Sequence, residues 1–77
     1  MEIEHRLKKI LAIALQKDIS EIHDGINSED VKEWDSLQQM NIIVAIEEEF
    51  DVSFSEVESI LKRDYVSLVD AINEKSH

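Results

Sequence analysis

The chain has no cysteine and no proline, and its single glycine is Gly25. Without cysteine there is no disulfide framework and no thiolate metal site, and a reducing compartment is compatible. One glycine cannot build a phosphate-cradling loop, and it is too few for a set of glycine-turned hairpins. Absent proline and scarce glycine suit helices joined by loops. Aromatics are few (Trp34, Phe50, Phe54, Tyr65), whereas Ile, Leu and Val are many. The expected core is therefore aliphatic, and side chains of that kind could part around an inserted chain. No apolar run approaches a membrane span, so no membrane insertion is expected. The N-terminal Met1 to Arg6 lacks a basic segment followed by an apolar run, and does not read as a signal peptide. A cytoplasmic protein is the expectation.

Basic residues are also scarce: 8 Lys and Arg stand against 18 Asp and Glu, for a net charge of −10. Residues 18–61 hold thirteen acids and one base, Lys32. So acidic a middle repels nucleic acid and anionic membranes and steers toward basic protein patches. At 77 residues the chain is expected to form one small domain, residues 1–77, burying roughly 60–65% of its unfolded surface.

Residues 2–17 read as an amphipathic helix. Ile3, Leu7, Ile10, Leu11, Ala14 and Leu15 make one stripe. Glu2 and Glu4 precede Arg6 and Lys8 by four, which is the favoured orientation for such pairs.

Residues 18–35 show no sustained period and read as a long loop. Ile19, Ile22, Ile26, Val31 and Trp34 are its expected anchors to a core, with a short helical turn over Ser28 to Lys32. A calcium loop is excluded. With Gly25 at the sixth position, Ser20, Ile22 and Val31 fall where acids are required.

A second helix is expected over residues 36–50. Asp35 and Ser36 are both candidate N-caps, since Gln38 and Gln39 stand three residues beyond them. Ile42, Ile43, Ile46 and Phe50 should face the core. Leu37, Met40 and Val44 lie on an adjacent stripe, to be read either as core packing, the more frequent fate of such residues, or as an apolar strip flanked by Glu47 and Glu48 and shaped for docking another protein. Asp51 is suited to the left-handed conformation that ends a helix. After Val52 to Phe54, Ser55 and Glu58 form a capping box for a short third helix with Val57, Ile60 and Leu61. Ser67 and Asp70 read as the cap of a last helix bearing Leu68, Val69, Ala71 and Ile72. The fold class is all-α: a small four-helix bundle with a long first loop and a short third helix.

Sites of catalysis are missing. His5, His23 and His77 share no metal-ligand spacing with one another or with acids. No serine has the flanking glycines of a nucleophile elbow, and so short a chain has little room for a substrate cleft. The chain is not expected to be an enzyme or to bind a metal.

What remains is a serine at the mouth of a helix, where N–H groups and the helix dipole favour an anion such as a phosphate. The block Asp35-Ser36-Leu37, continuing through Met40, Ile43, Ala45, Ile46 and Glu47-Glu48-Glu49-Phe50, closely resembles the acyl carrier proteins. The length, long first loop, acidic second helix and short third helix match as well, so the resemblance covers essentially the whole chain. It implies a monomer that carries rather than catalyses. A phosphopantetheinyl transferase would move 4′-phosphopantetheine from coenzyme A onto Ser36, and the arm's thiol would hold an acyl or aminoacyl group as a thioester. The resemblance also implies Asp35, Leu37, Met40, Glu47 and Glu48 as contacts for the transferase and for loading and transferring enzymes with basic docking patches.

The flanks depart from the family pattern. Fatty-acid carriers usually place a glycine and a small residue before the triplet, where this chain has Glu33-Trp34. They usually place an acid directly after the leucine and another three residues later, where it has Gln38 and Asn41. These changes point to a specialised pathway of polyketide, peptide or surface-polysaccharide type. The alternatives are a housekeeping role in fatty-acid synthesis, or a non-covalent acidic helical interaction module in which Ser36 is only a cap. Trp34 is expected to plug the long loop, the alternative being an exposed aromatic for a particular partner.

Overall fold

A computed structural model describes residues 2–76. His77, one of the three histidines weighed above, lies outside the described residues. Four helices form in the order α1 (Glu2–Leu15), α2 (Ser36–Phe50), α3 (Glu56–Leu61) and α4 (Tyr65–Lys75), and a 3₁₀ turn at Ile19–Glu21 follows α1. No named strand occurs among the described residues. The only bridge among them pairs Asn27 with Asp64. The all-α four-helix architecture with a long first loop and a short third helix is therefore the observed fold. Helix α2 packs against α1 and α3, and α4 packs against α1.

The helix ends follow from the sequence in some places and depart from it in others. Helix α1 stops at Leu15 rather than Lys17, because Gln16 turns left-handed at φ 57°. Lys17 N then donates to Ala12 O at 2.9 Å and Gln16 N to Ile13 O at 3.3 Å, satisfying two carbonyls of the last turn. Asp51 ends α2 as expected, at φ 55° and ψ 51°. Ser55 and Glu58 form the expected capping box, with Glu58 N on Ser55 Oγ at 3.1 Å and Ser55 N on the Glu58 carboxylate at 2.9 Å. Helix α4 corrects the sequence reading. It begins three residues earlier, capped by Asp64, whose carboxylate accepts from Ser67 N at 3.1 Å. Ser67 lies inside the helix, and the extra turn buries Tyr65.

The core is built from Leu7, Leu11 and Leu15 of α1, Ile42, Ile43 and Ile46 of α2, and Leu68 and Ile72 of α4, all essentially inaccessible. Each such side chain contributes about 1.5–3 kcal/mol of apolar transfer. Phe50, expected to face inward with them, is only half-buried. The Arg6 guanidinium lies 4.6 Å from its ring centroid and bonds the Glu49 carboxylate at 2.7 Å, joining the ends of α1 and α2.

The long loop is ordered by its own contacts. Ile22, Ile26, Val31 and Trp34 are buried, but Ile19 is exposed. In place of a helical turn over Ser28 to Lys32 there is a hydrogen-bonded turn around Asn27. Its side-chain oxygen accepts from Glu29 N at 2.8 Å and Asp30 N at 3.1 Å. Ser28 N donates to Arg63 O at 2.9 Å and Tyr65 N to Ile26 O at 3.0 Å, so the loop is stitched to the α3–α4 connection. Trp34 closes the loop from inside. It is 2% exposed, and its indole N–H bonds Gln39 Oε1 at 2.7 Å.

Candidate functional site

Ser36 is the first residue of α2 and is exposed. Of the two candidate caps, Asp35 takes the role. Its backbone is extended at φ −95° and ψ −173°, and its carboxylate accepts from Gln38 N at 2.9 Å. That leaves the Ser36 hydroxyl without a capping task. Its partner is a cation: Arg63 Nη2 donates to Ser36 Oγ at 3.4 Å, while Arg63 Nε is anchored on Ile60 O at 2.9 Å. Arg63 forms no ion pair among the described residues. A serine oxygen at the N-terminus of a fifteen-residue helix, facing a guanidinium, suits a covalently bound phosphate.

Beside the serine, Leu37, Met40 and Val44 are 68%, 47% and 50% exposed, so α2 carries an uncovered apolar strip at helical spacing. Helix α3 adds to the uncovered apolar surface. Val57, Ile60 and Leu61, which the sequence supplies as the apolar residues of this helix, all point to solvent, whereas Ser59 is buried. The reason lies in Gln39. Its amide nitrogen donates to Ser59 O at 2.8 Å and Lys62 O at 2.9 Å, so α3 is fastened through its backbone.

The acidic triplet at the end of α2 divides into three environments. Glu47 accepts from Phe54 N at 2.8 Å and so also holds the turn into α3. Glu48 is exposed and forms no ion pair among the described residues, and Glu49 is engaged by Arg6. Among the described residues two groups are displaced from their ordinary titration range. The Glu58 carboxyl is held down at about 2 by the backbone bond from Ser55 and by Lys75, whose ammonium stands 2.9 Å away. Burial pushes the Tyr65 phenol up, reinforced by the charges of Asp24 and Glu4.

Among the described residues no group of three His, Cys, Asp or Glu side chains could hold a metal ion. No helix among them is long and apolar enough to cross a membrane.

No family model matches the chain. It is, however, 31% identical over 74 residues to a protein called acyl carrier protein from Buchnera aphidicola subsp. Schizaphis graminum (strain Sg), an alignment covering 96% of this chain and 94% of that one. The chain belongs to the acyl carrier protein family. As an acyl carrier it holds intermediates for other enzymes and is not itself an enzyme. The family is one whose members carry phosphopantetheine and meet phosphopantetheinyl transferases and acyl-handling enzymes. Two residues that matter in this carrier, Gln39 and Arg63, are not picked out by sequence motifs. Gln39 was discernible as a polar side chain one turn before Ile42 and Ile43, on the buried arc of α2. Arg63 was discernible as half of the basic pair that ends the acidic middle of the chain.

Proposed function

We propose that residues 1–77 act as one monomeric, cytoplasmic carrier domain bearing 4′-phosphopantetheine on Ser36. The observation that carries this reading is the division of labour at the mouth of α2: Asp35 caps the helix and Ser36 presents an exposed hydroxyl with no capping role. In the loading reaction Ser36 Oγ forms a bond to the phosphorus bearing the pantetheine half of coenzyme A. The pyrophosphate bond breaks, the nucleotide half leaves with the bonding pair, and the serine proton passes to a base on the transferase. When bound, the arm supplies a terminal thiol that holds an acyl or aminoacyl group as a thioester. Helix α2 provides a fixed base for that reach. Asp35, Leu37, Met40, Glu47 and Glu48 form the docking edge, with the apolar residues giving contact and the acids steering basic enzymes.

The pathway is proposed to be a specialised one of polyketide, peptide or surface-polysaccharide type rather than housekeeping fatty-acid synthesis. What supports this is the pair of amides, Gln38 and Asn41, in place of acids beside the serine, together with a tryptophan before the triplet that is tied to Gln39. Incubation with coenzyme A and a broad-specificity phosphopantetheinyl transferase, followed by intact mass, tests the attachment. Wild type should gain one phosphopantetheine and Ser36→Ala none. A gain that survives the substitution would overturn the assignment.

A further inference from the structure

The contact between Arg63 and Ser36 joins two parts of the chain 27 residues apart. Nothing in the folding of α2 calls for it, because Asp35 already caps that helix. The guanidinium is not spent elsewhere either. Its Nε is bonded to Ile60 O, which orients the group, and among the described residues no carboxylate pairs with it. Its backbone is fixed as well, since its carbonyl accepts from Ser28 N at 2.9 Å. The arginine is thus held at both ends of its length while its last nitrogen rests against the hydroxyl.

Attaching a phosphodiester at Ser36 places a negative charge next to the Asp35 carboxylate in a chain already at −10. Like charges so close repel, and the helix N-terminus offsets only part of that repulsion. A guanidinium that reaches the serine oxygen also reaches what is bonded to that oxygen, and Arg is the side chain best suited to phosphate oxygens. We propose that Arg63 binds the phosphodiester of the prosthetic arm, as a positioning residue that fixes the root of the arm and neutralises its charge. This rests on the reading that Ser36 carries the arm.

The test is a cycle of four proteins: apo and modified forms of wild type and of Arg63→Gln, with Arg63→Lys as the conservative control. The readouts are melting temperature and the phosphorus-31 resonance. Loss of the Ile60 contact affects apo and modified forms alike and cancels in the cycle. Modification should raise the melting temperature of wild type relative to Arg63→Gln by about 4 °C at low salt. Arg63→Lys should fall between them, and the difference should shrink at high salt. The phosphorus resonance of the modified wild type should move in Arg63→Gln. The Arg63 Nε–H signal of the wild type should shift on modification, a readout that needs no variant. Equal temperature changes in wild type and Arg63→Gln, with an unmoved phosphorus resonance, would overturn the role of Arg63 and leave the attachment standing. Failure of the wild type to gain mass would instead overturn the attachment.

Discussion

Trp34 and Gln39 form a buried polar pair in which the indole N–H meets the amide oxygen at 2.7 Å, while the amide nitrogen holds the carbonyls of Ser59 and Lys62. One glutamine thus links the end of the long loop, the first turn of α2 and the last turn of α3. Every buried side-chain polar atom among the described residues is partnered, which is the condition under which such a network stabilises.

Breaking that pair should therefore be costly. Gln39→Leu leaves the indole N–H and two carbonyls without their partner and should destabilise by about 2 kcal/mol or more. Trp34→Phe should cost a comparable amount. The double variant should lose less than the two losses added together, since the shared bond is removed only once. Urea unfolding followed by circular dichroism measures this, and strict additivity would contradict the coupling.

At the mouth of α2 the two neighbouring residues should separate cleanly. Asp35→Ala should cost about 1 kcal/mol of stability as a lost cap. Ser36→Ala should stay within about 0.5 kcal/mol of wild type. A large loss for Ser36→Ala would mean that the hydroxyl has a folding role.

The Glu58 carboxyl supplies a pH dependence of known sign. Its folded value, about 2, lies below its ordinary 4.5, so the folded state favours the ionised form. Its contribution is complete above about 4.5 and fades as pH falls toward 2. Glu58→Gln preserves a residue able to close the capping box but removes the charge facing Lys75. The gap between the urea midpoints of wild type and this variant should be constant above pH 5 and narrow by pH 3. A gap that widens on acidification would refute the assignment.

The docking edge proposed for α2 gives two different expectations for its adjacent acids. Glu48→Lys should slow modification of Ser36 several-fold at low salt, with the effect fading as ionic strength rises and with stability unchanged. Glu47→Lys should slow it too, but should also cost about 1 kcal/mol, because the Glu47 carboxylate bonds Phe54 N. Transferase rates across a salt series, paired with melting curves, separate the two. Rates indifferent to salt would remove the steering role from both.

Much of this was legible in the residues. The stripes of α1 and α2, the Ser55–Glu58 box and the left-handed Asp51 follow local rules that hold without tertiary help. The start of α4 was hidden because Ser67 and Asp70 imitate a capping pair while Asp64, the actual cap, has a serine three residues on. The exposure of the apolar residues of α3 was hidden for a different reason. Six residues make under two turns, and the helix is held by backbone bonds to Gln39 instead of by its own Val, Ile and Leu. Arg63 joins Ser36 only through the folded arrangement, so spacing along the chain could not reveal it.

The seam where Ser28 N meets Arg63 O and Tyr65 N meets Ile26 O sets a rule for re-engineering the loop. Extra residues placed between Ile26 and Ser28 would shift one partner of the seam against the other and draw Arg63 away from Ser36. Extra residues at His23 to Gly25, which are exposed and lie outside the seam, would lengthen the loop with its anchor intact. A peptide tag or reporter grafted there should leave loading of Ser36 at its native rate, whereas the same graft one turn later should not.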